Sequence, residues 1–449
     1  MATALQARDA YLAELRRHDG ELPGDDRPWL AAIRRQARER FAEIGFPAPK
    51  SEDWKYTRVS PLLKTIFRPL AAADKALDEA GLSKIVDALP GVGLADSVLV
   101  FVDGYLAESL SRVVAASGVE VSGLRESLAA GGDGLEDHFG RYLDAGVHGF
   151  AALNTALAGD GAVVRLARGA AAEHPVHLLF YATARKQPTL AQPRNLIVAD
   201  DGSSGTVVEH YAGEPGATYL RNAATEIALG RDAALVHVKV QAESESGYHV
   251  HRIQAYQNAG SSFTSHAIAL GGALSRTEIA TTLDGEGAGC ALLGLYVVQG
   301  SQHVDHHTTI DHAKPRTTSR ELYKGILDES SRGVFTGKVL VRKDAQQISA
   351  EQTNRNLLLA DGAQVETRPQ LEIYADDVKC THGAAVGRLD EDALFYMRQR
   401  GIDPAQARSL LTYGFASEVL AELGIDDLRE ALEQTVLARV RRASEGRNA

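Results

Sequence analysis

In the stretch Ala234-Leu235-Val236-His237-Val238-Lys239-Val240-Gln241, valines alternate with polar residues from Val236 onward. Successive strand side chains point to opposite faces, so this pattern predicts a strand with two unlike faces. Ala234, Val236, Val238 and Val240 read as its inward face. His237, Lys239 and Gln241 read as its outward face. The strand is one of a series. Similar starts fall near 206 (Thr206-Val207-Val208), 235, 263 (Phe263-Thr264-Ser265-His266) and 291 (Ala291-Leu292-Leu293), separated by 29, 28 and 28 residues. A second series near 219, 249, 276 and 304 lies between them, separated by 30, 27 and 28. Turn pairs such as Asp201-Gly202 and Asp284-Gly285 fall between the runs. Two strands per repeat of about 28 residues is the signature of a solenoid, in which each repeat buries its face against the next. A mainly β chain with a parallel β-helix core over 151–387 is therefore expected.

The flanks read differently. Residues 5–18 and 28–44 are helical, with Trp29, Ile33, Ala37 and Phe41 at helical spacing, and Gly45 and Pro47 stop the second helix. Ser51-Glu52-Asp53-Trp54-Lys55-Tyr56-Thr57 reads as a loop pinned by its two aromatics. Residues 97–106 read as a strand entering a turn at Asp103-Gly104. Together these make an N-terminal region, 1–150, that is helical with a short β-hairpin. From 388 to 449 the chain is helical again. Asp403-Pro404 supplies an N-cap and a first-turn proline. Leu410, Leu411, Phe415 and Val419 form one apolar stripe, and Leu428, Leu432, Val436 and Val440 form another. A two-helix unit of this size cannot bury both stripes alone, so packing on the β-region is expected, with docking of a partner as a second use.

Composition narrows the function. The 449 residues carry a net charge of −11, which opposes broad nucleic-acid binding. No apolar run approaches the roughly 20 residues that span a bilayer, and the N-terminus lacks a signal-peptide core. The two cysteines, Cys290 and Cys380, are 90 residues apart, which argues against a disulfide framework and for a reducing, cytoplasmic setting.

Three constellations could carry chemistry. Cys380-Thr381-His382 puts two soft ligands on one strand face, among the polar neighbours Asp376, Asp377, Lys379 and Thr381. A lone cysteine is by default a small buried hydrophobe. The polar surroundings argue for exposure, and Lys379 would lower the thiol pKa. Two ligands are too few for a closed metal site, so others would have to come from a second chain. His249-Val250-His251 has the His-x-His spacing of a cupin metal site without its carboxylate, and reads as two solvent-facing histidines. In the run His303 to His312, His303, Asp305 and His307 share one face while His306 and His312 share the other. That run reads as a polar ladder, structural or at a subunit interface. No nucleophile elbow, phosphate loop or dinucleotide fingerprint is present. A β-helix carbohydrate enzyme remains an alternative, predicting a carboxylate- and aromatic-lined groove. The low aromatic content, 6%, counts against it.

Asp377-Val378-Lys379-Cys380-Thr381-His382-Gly383-Ala384 resembles the signature of the SufD branch of the SufB/SufD family of iron–sulfur cluster assembly. Leu394-Phe395-Tyr396-Met397-Arg398-Gln399-Arg400-Gly401-Ile402, the His303–His312 run, Gln352 to Leu359 and Trp54-Lys55-Tyr56-Thr57 are also similar to family segments. The resemblance implies a right-handed parallel β-helix and a non-catalytic scaffold. It implies a heterodimer with a SufB-like paralogue and an ABC-type ATPase, SufC-like, on the C-terminal helices, where the stripe Leu410, Leu411, Phe415 and Val419 would dock it. It also implies a transient iron or iron–sulfur cluster at the heterodimer interface, to which Cys380 and His382 contribute. It gives Cys290 no role and leaves open whether the isolated chain homodimerises.

Overall fold

Residues about one repeat apart lie side by side in the computed structural model, which describes residues 2–18, 20–48, 51–70, 79–93, 96–132 and 134–445. One sheet stacks β5 (Ala162–Leu166), β8 (Arg194–Ala199), β10 (Tyr219–Leu229), β12 (Tyr248–Gln257), β14 (Leu274–Leu283), β16 (His303–His312), β18 (Arg332–Val341) and β20 (Gln364–Ile373). The other stacks β2 (Ser97–Val102), β6 (Val176–Ala182), β9 (Ser204–Gly213), β11 (Ala234–Ala242), β13 (Ser262–Ala269), β15 (Gly289–Val298), β17 (Thr318–Leu327), β19 (Ile348–Leu358) and β21 (Val378–Gly387). Neighbours within each stack pair in parallel, as in β11 with β13 and β16 with β18. The expected parallel β-solenoid is what the chain forms. Short strands β1 (Arg68–Pro69), β3 (Tyr105–Leu106), β4 (Val119–Gly123) and β7 (Thr189–Ala191) complete its N-terminal end. There β3 and β4 pair antiparallel with β2 and β5. The β2–β3 turn is Asp103-Gly104, both at positive φ (51° and 96°), the geometry of a tight hairpin.

Helices α1 (Ala2–Arg17), α2 (Pro28–Ile44), α3 (Ser60–Leu63), α4 (Glu79–Asp87), α5 (Leu124–Ala129) and α6 (Gly149–Leu157) precede the repeats. Helices α7 (Glu391–Gln399), α8 (Pro404–Leu420) and α9 (Asp426–Glu445) follow them. Gly45 ends α2 with φ 58° and returns its N–H to Phe41. Asp403 caps α8, accepting from the N–H groups of Ala405 and Gln406 at 2.9 and 3.3 Å.

The faces of the repeat are the reverse of the expectation. His237, Lys239 and Gln241 point into the solenoid, where all three are buried. Val238 and Val240 point outward and pack under α8 and α9 with Val419, Leu428, Leu432 and Val436. The outer face of the other sheet is covered likewise: Leu220 and Val250 pack beneath Phe41, Trp54 and Phe150 of the N-terminal region. Helical layers on both outer faces thus bury apolar side chains, each worth about 1.5–3 kcal/mol.

The interior is apolar at many positions, including Phe101, Phe180, Ile227, Ile253, Leu292 and Phe335. Aromatic rings enter it where the next rung supplies glycine. Gly294 sits opposite Tyr323 and Gly325 opposite Tyr296. A Cβ at either glycine would come within 2.1 Å of the facing ring. Between the apolar layers runs a polar seam. Glu209 accepts from Tyr211 at 2.6 Å and Thr225 at 2.8 Å, with His237 Nε2 3.4 Å away. Arg221 pairs with Glu243, which also lies 3.1 Å from His249. Lys239 donates to Thr277 at 2.6 Å, and burial pushes its pKa down to about 7.

Candidate functional site

The two ends of the solenoid are finished differently. At the N-terminal end β2 and β6 are buried along their whole length. At the other end β20 and β21 are the last strands of their sheets, and most of their residues are half-buried or exposed. Exposed apolar side chains collect beside them: Ile373, Tyr374 and Val386.

Cys380 and His382 lie on this last strand. Cys380 is in register with Ala350, and His382 with Gln352. They therefore continue the interior file of side chains past the point where rungs stop. Cys380 is half-buried against Ala350, Ile348 and Val339, whereas His382 is exposed. Burial raises the Cys380 thiol pKa, partly offset by a backbone hydrogen bond at Ala350. The lowering expected from Lys379 is not found, because alternate residues face opposite ways and Lys379 points off the other side of the strand. Among the described residues no group of three or more potential ligands could hold a metal ion. Cys380 and His382 are thus two donor-bearing side chains on the last strand of its sheet.

The other sequence candidates are placed elsewhere. His249 and His251 are not solvent-facing. Both are buried inside the solenoid, close to the carboxylates Glu243 and Glu209. Burial lowers the pKa of His249 to about 4. Cys290 is also interior, and burial pushes its thiol pKa up.

His303, Asp305 and His307 do share one face, turned out of the solenoid beneath the N-terminal segment. Thr57 donates to Asp305 at 2.5 Å and sits 2.9 Å from His303; His307 lies 3.1 Å from Asp305. Arg276 pairs with Asp305 and lies 3.9 Å over the Trp54 ring. Burial alone would raise the Asp305 pKa; Arg276, His307 and Thr57 hold it well below the usual carboxylate range. This ladder is a clamp within one chain. It fixes the Trp54–Thr57 loop onto the β-helix, with Trp54 also stacked 5.2 Å from Phe150. The role of Thr57 was not visible in the sequence.

The helix α8 stripe divides. Leu410 is exposed, Leu411 and Phe415 are half-buried, and Val419 is fully buried against the solenoid. Phe395 and Tyr396 of α7 are exposed. Helix α8 is tied to β17 by Lys324, which pairs with Glu418, and by Arg320, whose two contacts to Glu422 are each 2.7 Å. No described helix is long and apolar enough to cross a membrane.

Two family models cover this architecture. "SUF system FeS cluster assembly, SufBD core domain" matches residues 180–415, and "SufBD protein N-terminal region" matches 5–178. The chain belongs to the SufB/SufD family. An iron–sulfur cluster assembly SufBD family protein of Synechocystis is 32% identical over 422 residues, 91% of each chain. The iron–sulfur cluster assembly protein SufD of Escherichia coli is 32% identical over 408 residues, 90% of this chain and 91% of that one. The chloroplastic protein ABCI7 of Arabidopsis thaliana is 29% identical over 412 residues, 89% and 84%. Members of the SufB/SufD family take part in iron–sulfur cluster assembly.

Proposed function

We propose that this chain is a SufD-like, non-catalytic scaffold of the SUF system. Its open solenoid end joins a SufB-like paralogue, and His382, with Cys380 beside it, forms half of the site where iron or a nascent cluster is held. The observation that carries this reading is the Cys-x-His pair on the last rung. A parallel edge leaves backbone N–H and C=O groups unpaired, a template for a strand of another chain. Donors from that chain would complete the two-ligand set, and in its absence a second copy could pair with the same edge.

The ATPase partner, SufC-like, would dock at the exposed Leu410, Phe395 and Tyr396 rather than along the whole α8 stripe. Movement of α8 would then pass through Lys324 and Arg320 into β17, two strands from His382. A shift between two arrangements is needed for such coupling. Two free thiols suit a reducing compartment such as the cytoplasm.

The carbohydrate-enzyme alternative fares worse, because helical layers cover the outer faces where a glycan groove would lie. The test is His382→Ala in the complex purified from a cell that depends on this system. Complex assembly should persist while cluster maturation is lost. Normal maturation would remove His382 from the site.

A further inference from the structure

The rung beneath His382 carries an arrangement with no evident structural purpose. Glu321, Gln352 and His382 occupy matching positions on β17, β19 and β21, 31 and 30 residues apart, and form one file on the inner side of the sheet. The Gln352 amide nitrogen donates to the Glu321 carboxylate at 2.6 Å, and both residues are 1% exposed. An ionised carboxylate oxygen can only accept, so this bond fixes which way the amide faces. Across the solenoid, Gly337 makes room for that nitrogen: a Cβ there would come within 2.3 Å of it. The amide oxygen of Gln352 is buried and has no hydrogen-bond partner among the described residues. Burying an amide acceptor unpaired costs free energy, so such an atom calls for an explanation. The next side chain in the file is His382, one strand spacing of about 4.8 Å away.

We infer that Gln352, anchored by Glu321, is a positioning residue for His382: its amide oxygen accepts one imidazole N–H and turns the other ring nitrogen outward as a lone-pair donor. Histidines that hold metals commonly donate their second N–H to such an acceptor, which fixes both tautomer and ring orientation. The inference deepens the reading of His382 as half of an assembly site and rests on it for its purpose. The hydrogen bond itself can be measured independently of that reading.

The experiment is nitrogen-15 NMR of the full-length chain labelled at histidine, with the His382 signals assigned by their loss in His382→Gln. Burial pushes the Glu321 pKa up to about 7, so spectra are taken at pH 8, where the carboxylate is ionised. Wild type should show one dominant neutral tautomer at His382. Gln352→Leu should move its two ring nitrogens toward averaged values, and Gln352→Glu, which retains an acceptor, should keep the wild-type pattern. In the complex with the SufB-like partner, Gln352→Leu should weaken binding of Fe(II), the probe used, by about 10–100-fold. Gln352→Glu should restore most of that loss. Identical His382 tautomers in wild type and Gln352→Leu overturn the inference, as does tautomer averaging in Gln352→Glu. If Gln352→Leu does not fold, Gln352→Met, which also lacks an amide acceptor, takes its place with the same two outcomes. Normal maturation by His382→Ala would instead defeat the site assignment while leaving the hydrogen bond standing.

Discussion

The N-terminal and C-terminal ends of this solenoid face the same physical problem and treat it differently. At the first, antiparallel strands β3 and β4 flank the parallel stacks, and β2 lies under α4, with Leu82 and Val86 against Val98 and Val100. At the second, no strand lies beyond β21 among the described residues, and its inner file runs from half-buried Val378 and Cys380 to exposed His382, Ala384 and Val386. A solenoid needs both ends capped to be soluble alone. On the function proposed above, the second cap would be supplied by association, and Cys380 and His382 lie on the strand where it would seat.

Acid should break the closed body first and most strongly. Burial lowers His249, His266 and His312 to pKa values near 4, and His210 and His306 to about 3. The unfolded values lie near 6.5, so the unfolded chain takes up these protons first. Stability is then full above about pH 6.5 and falls as the pH drops toward 4. Each such histidine adds up to about 1.4 kcal/mol per pH unit. Urea midpoints measured across this window should fall steeply; a flat profile would mean that these histidines are not buried neutral.

Next in size is the core of the closed end. Phe180 stacks between Phe101 and Tyr211, at centroid distances of 4.9 and 4.8 Å. Phe180→Ala should cost about 3–5 kcal/mol in urea unfolding. The smallest effect is expected at the open end. Val386→Lys, at a side chain 48% exposed, should change the stability of the isolated chain by no more than about 0.5 kcal/mol. It should nonetheless reduce capture of the SufB-like partner in a pull-down. If Val386→Lys destabilises the isolated chain as Phe180→Ala does, the two ends do not differ as described.

The repeat was legible because short apolar runs, several of them β-branched, restart after turns, and the spacing holds for four successive strands of each series. Which side faced inward was not legible. The rule that apolar faces turn inward assumes solvent outside, whereas helices α8 and α9 cover Val238 and Val240, and Glu209 and Ser265 accompany His237 within. The same reversal hid His249 and His251 in the core. Cys380 and His382 stood out from local spacing alone. Gln352 and Glu321 did not, since their link to His382 runs across rungs; steps of 31 and 30 residues along the established repeat would have found them.

The most direct test of the open end is amide hydrogen exchange on this chain, alone and with the SufB-like partner. Residues 364–373 and 378–387 should exchange rapidly alone and become protected in the complex, while 97–102 and 176–182 stay equally slow in both. Unchanged exchange over 378–387 in a complex that demonstrably forms would contradict the assignment of this end as the interface.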